Sequence, residues 1–142
     1  MSIGLTVGCW DRLHEGHRDH IREALSGCDV LIVGVMSQTW MRLTKGVPIE
    51  GEGASEDEST REHAIYRAFR GEGHRIRPVR LDVPVLGALA QVVDVVFLGS
   101  DQTWHLLPEN RRTLDSCAFE TIPRLPGVSS SGLRSEAACL AR

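Results

Sequence analysis

Short, uniformly apolar runs recur along the chain and alternate with stretches that have helical spacing. The clearest runs are 3–7, 30–35 and 94–99, and two further strands are predicted at 75–81 and 117–122, which also carry charged residues. Runs without polar alternation are typical of strands covered on both faces, as in parallel sheets. A helical pattern over about 15–25 separates the first two runs, and Gly27 follows it as a typical helix terminator. This strand–helix–strand unit predicts a parallel pair. We therefore predict one α/β domain over residues 1–142, with a Rossmann-like doubly wound parallel sheet.

Further helices are predicted between the later strands. They cover 37–43, 61–70, 85–91 and 105–112, and a last helix has the apolar face Leu133, Ala137 and Leu140. Ser59 or Thr60 is suited to cap the helix at 61–70. Its inward-facing residues are expected to be Ile65, Ala68 and Phe69. The polar, acidic and glycine-rich segment 44–59 predicts a mobile loop over the binding site, or a linker without function.

The stretch TVGCWDRLHEGHRDH lies where the first strand ends and the first helix begins. It places His14 and His17 three residues apart, with Gly16 between them. Unpaired N–H groups and the helix dipole attract phosphate to such a helix start. Histidines at i and i+3 face the same way and can donate to a shared anion, and a glycine lets a ligand approach closely. The pattern favours phosphate binding. A metal half-site and a pair of surface histidines without function are the alternatives.

Composition narrows the class of protein. The 142 residues carry a net charge of −3, and no apolar run is long enough to span a membrane. The N-terminus lacks the features of a signal peptide, and the four cysteines show neither metal spacing nor a disulfide pattern. We expect a cytoplasmic protein with reduced thiols, and Cys9 is interpreted as structural. The absence of a basic block argues against nucleic-acid binding.

Two motifs together resemble a known family. The run GCWDRLHEGHRDHIREALSGCDVLIVGV resembles the nucleotidyltransferases with a His-Xaa-Gly-His motif, most closely the glycerol-3-phosphate cytidylyltransferase type. Cys9 and Trp10 replace the usual Thr and Phe of that family. A second family signature, at the start of the last helix, is matched by Gly127-Val128-Ser129-Ser130-Ser131. Because the two signatures occur in the family's order, the resemblance implies membership of the superfamily.

The resemblance implies transfer of a nucleoside monophosphate from a nucleoside triphosphate to a phosphate- or phosphonate-bearing acceptor, with release of pyrophosphate. His14, His17 and Lys45 are the expected catalytic residues. The expected nucleotide-binding residues are Val7, Gly8, Cys9, Trp10, Gly16, Gly99, Asp101, Arg124, Gly127, Val128, Ser129, Ser130 and Ser131. CTP is the expected donor. Adenylyltransferases of the FMN, pantetheine-phosphate or heptose-phosphate type, and a non-catalytic nucleotide-binding module, are the alternatives.

The acceptor and the metal are less well defined by the motifs. Asp11, Arg61 and Trp104 are the expected acceptor-binding residues, although a turn aspartate, a solvated arginine and a core tryptophan are the ordinary interpretations. Mg²⁺ is the expected cofactor, with Asp11 as the residue that assists it. The family resemblance also implies a homodimer, but the family's Arg-Tyr-Val-Asp-Glu stretch is replaced by 70–74, which has a different sequence.

Overall fold

The chain folds as a five-stranded, all-parallel sheet with helices on both faces, as predicted. The computed structural model describes residues 1–82, 87–100, 102, 104–106 and 108–123, without the side chains of 87 and 88. The strands are β1 (Ile3–Gly8), β2 (Val30–Met36), β3 (Ile76–Leu81), β4 (Val95–Gly99) and β5 (Ala118–Ile122). The helices are α1 (Glu15–Ser26), α2 (Gln38–Lys45), α3 (Glu58–Ala68) and α4 (Pro108–Thr113), with 3₁₀ turns at Arg70–Glu72, Gly87–Val92 and Trp104–Leu106.

The strand order β3-β2-β1-β4-β5 places β1 at the centre. The chain runs outward from β1 to β2 and β3, then crosses to β4 and β5 on the other side, so the order reverses between β1 and β4. In open α/β sheets, ligands bind at the carboxyl ends of the strands beside such a reversal. The turn after β1 therefore occupies the position in this fold where a ligand is expected.

Two apolar clusters cover the two faces of the sheet. Alternate residues of a strand point to opposite faces, and accordingly Ile32 belongs to one cluster and Leu31 and Val33 to the other. Helices α1 and α3 pack in the cluster that contains Leu31, whereas Trp40 and Met41 of α2 pack in the opposite one. Residues on α2 therefore approach the edge of the sheet from the face opposite to α1 and α3.

Several helix boundaries and one core assignment differ from the prediction. Asp57, rather than Ser59 or Thr60, caps α3, and its carboxylate accepts the N–H of Thr60 at 2.7 Å. Ile65 and Phe69 are buried as predicted. The prediction for Ala68 was wrong, because α3 ends there and the residue is exposed.

The other predicted helices are shifted or divided. The helix predicted at 37–43 extends to Lys45, so the N-terminal part of the predicted loop 44–59 is helical. The stretch 87–92 is a 3₁₀ turn. The first two residues of the predicted helix 85–91 lie outside the described residues. The stretch predicted at 105–112 is divided between a 3₁₀ turn and α4. Among the described residues, none of the helices has the length and apolar character needed to cross a bilayer.

Candidate active site

The turn that leads from β1 to α1 is held by the Trp10 side chain. Trp10 and Arg12 adopt left-handed backbone conformations, with φ of 55° and 49°, which cost energy in residues other than glycine. The Trp10 indole is buried, and its Nε1–H donates to the carbonyl of Gly34 at 2.9 Å. A Cβ at Gly8 would lie 3.0 Å from this ring, so a larger residue there would press against the indole. The side chain of Trp10, a residue predicted to bind nucleotide, therefore points into the core and anchors the turn there.

His14 and His17 exchange two hydrogen bonds at the start of α1. His14 is the N-cap residue, and its Nδ1 accepts the backbone N–H of His17 at 3.3 Å. The Nδ1 of His17 accepts the backbone N–H of His14 at 3.4 Å, and the rings stack with centroids 3.7 Å apart. A ring nitrogen that accepts a hydrogen bond cannot carry the proton, so in the neutral imidazoles both protons lie on Nε2. The motif thus places two Nε2–H donors, of which that of His14 is buried, near the amino end of the helix, where the dipole favours an anion.

His20 supports this arrangement from the next turn of α1. Its Nε2 lies 2.8 Å from the hydroxyl of Thr6 in β1, and its ring is 5.8 Å from the Trp10 ring. Burial lowers the pKa of His20 from 6.5 to about 4, and the charge of Asp19 opposes this only in part. His20 is therefore neutral at physiological pH and ties α1 to the central strand.

Arg61 connects the ends of the two central strands to the loop that crosses them. Its side chain is completely buried, although an arginine at a helix start is usually solvated. One nitrogen, Nη1, donates to the carbonyls of Cys9 at 2.7 Å and Met36 at 2.6 Å, and Nε donates to the backbone carbonyl of Glu56 at 2.9 Å. Burial lowers the pKa of Arg61, while the charge of Glu58 and other acids raises it. The predicted acceptor-binding residue thus has a structural function in the described contacts.

Asp11 fastens the same loop to the turn. Its side chain is buried, and Oδ1 accepts the N–H of Glu56 at 2.8 Å, while Oε1 of Glu56 accepts the N–H of Arg12 at 2.6 Å. The described residues contain no group of three His, Cys, Asp or Glu that could hold a metal ion. In the described contacts Asp11 bonds the loop, and its metal-assisting role stays a prediction.

Lys45 reaches the end of β1 from the opposite face of the sheet. It lies in the last turn of α2, not in a loop as predicted, and Ser37 caps this helix by accepting the N–H of Trp40 at 3.0 Å. Its Nζ lies 3.3 Å from Sγ of Cys9. The predicted catalytic lysine is therefore placed at the residue where β1 turns toward the histidines.

Gln102 bridges the ends of β1 and β4, and sequence reasoning did not identify it. Its amide nitrogen donates to the carbonyl of Val7, and its oxygen accepts the N–H of Gly99 at 2.9 Å. The available signal was a polar residue just after a buried strand at the reversal of strand order. Trp104 is partly buried and packs against the apolar cluster, with its carbonyl accepting from Asn110 at 2.9 Å.

The remaining predicted residues are partly outside the described part of the chain. Gly16 lies in the first turn of α1. Seven nucleotide-binding predictions fall outside the described residues: Asp101, Arg124, Gly127, Val128, Ser129, Ser130 and Ser131. The meeting of the two family signatures at one site therefore stays a prediction.

The chain was compared with known proteins in sequence and in fold. No protein-family model matches the chain. It is 35% identical over 106 residues to the bifunctional protein HldE of Rhodospirillum rubrum, a match that covers 72% of this chain and 20% of the relative. It is 43% identical over 103 residues to HldE of Nitrobacter winogradskyi, covering 72% of this chain and 16% of the relative. The chain thus spans about a fifth of the length of the curated relatives that it matches.

Solved structures share the fold over most of the chain. A lipopolysaccharide core biosynthesis protein from Thermoplasma volcanium has a TM-score of 0.61 at 21% identity, over 88% of this chain and 97% of that one. A bifunctional NMN adenylyltransferase/ADP ribose pyrophosphatase from Francisella tularensis, complexed with AMP and a Mn ion, has a TM-score of 0.64 at 13% identity, over 95% and 41%. TmcAL of Thermotoga maritima, bound with alpha-thio ATP, has a TM-score of 0.64 at 14% identity, over 99% and 51%.

The fold is a Rossmann-like α/β domain of the kind found in solved adenylyltransferase structures. The comparisons support the cytidylyltransferase-like superfamily that the motifs predicted. The sequence similarity found is to part of the HldE proteins. The predicted resemblance to the glycerol-3-phosphate cytidylyltransferase type is not confirmed.

The lowered pKa of His20 predicts a pH dependence of stability. Between pH 6.5 and about 4 the unfolded chain binds a proton at this residue that the folded chain does not, so stability falls as the pH is lowered. We expect the free energy of unfolding of the wild type to lose up to roughly 3 kcal/mol more than that of H20Q over this range. Denaturant titrations at a series of pH values measure the difference. H63Q, which changes an exposed histidine, should follow the wild type, and an identical pH profile for H20Q would contradict the account.

Proposed function

We propose that this domain transfers a nucleoside monophosphate from ATP to a small phosphorylated acceptor and releases pyrophosphate. The observation that supports this most strongly is the pair of Nε2–H donors that His14 and His17 hold at the start of α1. Support for ATP comes from solved structures of the same fold that hold AMP or alpha-thio ATP. The similarity to HldE also agrees better with the adenylyltransferase alternative than with the predicted use of CTP.

The proposed reaction needs no covalent intermediate. An oxygen of the acceptor phosphate attacks the α-phosphorus in line, a new P–O bond forms, and the bond between the α-phosphorus and the bridging oxygen breaks as pyrophosphate leaves. Such a reaction depends on positioning and charge stabilisation more than on a protein nucleophile. His14 and His17 donate to phosphate oxygens on which charge accumulates in the transition state. Cys9 has no chemical role in this scheme.

Lys45 is proposed to hold the leaving phosphates, because its Nζ lies 3.3 Å from Sγ of Cys9 beside the histidine turn. Its compact charge and flexible stem suit a polyphosphate. From the sequence alone, we propose that Arg124 and the serines 129–131 also bind these phosphates. The nucleotide phosphates, not Asp11, would be the main ligands of a divalent ion, since Mg²⁺ binds with few protein ligands. A homodimer stays a prediction.

Nucleotide preference and catalysis can be separated in one set of measurements. We expect isothermal titration calorimetry to give an affinity for ATP at least about tenfold above that for CTP. Pyrophosphate release should require both ATP and a phosphorylated acceptor from a panel of sugar 1-phosphates, glycerol 3-phosphate and phosphonates. A preference for CTP would contradict the choice of donor. Nucleotide binding without pyrophosphate release for any acceptor would indicate a non-catalytic module instead.

Variants of His14 separate capping from catalysis. Asparagine is a good N-cap residue, whereas alanine is not, so H14A should lower the free energy of unfolding by about 1 kcal/mol and H14N should retain it. Both variants lose the Nε2–H donor, and turnover should fall about 100-fold or more in each. Thermal unfolding and the pyrophosphate assay measure the two effects. Near-normal turnover in H14N would show that the imidazole acts only as a helix cap.

A further inference from the structure

An open groove lined by three arginines runs along the outer side of the histidine motif. It lies between the start of α1 and the outer surface of α3, and its basic residues are Arg12, Arg18 and Arg67. Leu13 and Ala64 contribute apolar wall, and among the described residues that line the groove Glu56 is the one acidic residue. We call this the arginine groove.

The arginines are not neutralised by the groove itself. Oε1 of Glu56 accepts the backbone N–H of Arg12 at 2.6 Å, and its single negative charge can balance at most one of the three guanidinium groups. Among the described residues, Arg12 Nε is buried without a hydrogen-bond partner, and its Nη2 makes only a long contact of 3.4 Å to the carbonyl of Ala54. Arg67 is exposed, and within the described part of the chain it makes no ion pair. A buried donor without a partner commonly marks a place where a ligand or water binds.

Arg18 is partly paired but remains available. Its Nε lies 3.3 Å from Glu15, which also pairs with Arg22 at 3.1 Å, and the Arg18 side chain is 36% exposed. Exposed ion pairs of this kind contribute little free energy, so a ligand can replace the Glu15 contact at small cost. Guanidinium groups bind phosphate through paired N–H donors, and three of them around one opening favour a phosphate-bearing ligand.

The place of the groove in the fold indicates which phosphate it binds. Arg12 precedes His14 by two residues and Arg18 follows His17 directly, so two of the groove's arginines flank the histidine motif in the chain. It lies on the face of the sheet that carries α1 and α3, whereas Lys45, proposed to hold the leaving phosphates, comes from α2 on the opposite face. In-line transfer requires the attacking oxygen and the leaving oxygen to be on opposite sides of the phosphorus.

We propose that the arginine groove is the acceptor subsite and that it binds the phosphate of a small sugar or alcohol phosphate. This assignment rests on the proposed nucleotidyl transfer. Arg12, Arg18 and Arg67 bind the phosphate oxygens that do not attack, and the apolar wall contacts the carbon skeleton. Arg61 and Asp11, the predicted acceptor-binding residues, hold the loop that shapes this side of the site in the described contacts.

The double variant R18Q/R67Q tests this subsite, with R70Q as its control. Arg70 is exposed and close to Arg67 in sequence but does not line the groove. We expect R18Q/R67Q to weaken binding of glucose 1-phosphate and glycerol 3-phosphate, measured by calorimetry without nucleotide, by about tenfold or more. Its affinity for ATP should stay within about twofold, and R70Q should match the wild type in both measurements. In the pyrophosphate assay, the double variant should raise the acceptor KM and leave kcat nearly unchanged.

The outcomes distinguish the subsite from the reaction. Unchanged sugar-phosphate binding in the double variant, or an equal loss of affinity for ATP, would overturn the acceptor subsite. If the wild type and the double variant transfer nucleotide with the same acceptor KM, the proposed reaction is supported and the proposed acceptor subsite is refuted. If no acceptor supports pyrophosphate release but phosphate binding depends on Arg18 and Arg67, the groove is an anion-binding site and the proposed reaction is refuted.

Discussion

Two reciprocal hydrogen bonds between His14 and His17 determine what this domain can do chemically. Each Nδ1 accepts a backbone N–H at the start of α1, so the bonds cap the helix and also leave the proton of each neutral ring on Nε2. The proposed catalytic donors are thus oriented by the secondary structure itself. The stacked rings bring their N–H donors together beside the positive end of the helix dipole, which favours an anion.

This arrangement depends on a backbone that is held from two sides. Trp10 anchors the strained turn in the core through Gly34, and Arg61 anchors the strand ends through the carbonyls of Cys9 and Met36. Burying a guanidinium is costly unless its donors are satisfied, so the site depends on those carbonyls remaining in place. The loop that supplies Glu56 is attached to the same turn through Asp11. The polar interactions around the site are therefore structural supports for the histidines as much as candidate ligand contacts.

Sequence patterns predicted the elements whose character is local. β1, β2 and β4 follow from apolar runs that have no polar face, and α1 follows from its spacing and from Gly27. The predicted start of α3 was wrong because several neighbouring residues are able to cap a helix. Asp57, Ser59 and Thr60 are all good N-cap residues, and Asp57 is the one that caps α3. The burial of Arg61 could not be predicted, since its partners are carbonyls far away in the chain. The arginine groove likewise combines residues of α3 with the α1 turn, and only the fold brings them together.

The protonated nitrogen of the two motif imidazoles is the most direct measure of this account. Long-range ¹H–¹⁵N correlation spectra, recorded at a pH where ordinary imidazoles are neutral and assigned with H14N and an equivalent His17 variant, identify the tautomer of each ring. We predict the Nε2–H form for both His14 and His17, and a change at Nε2 but not at Nδ1 when a non-hydrolysable ATP analogue binds. Nδ1–H tautomers, or Nε2 resonances that the bound analogue leaves unchanged, would contradict the account.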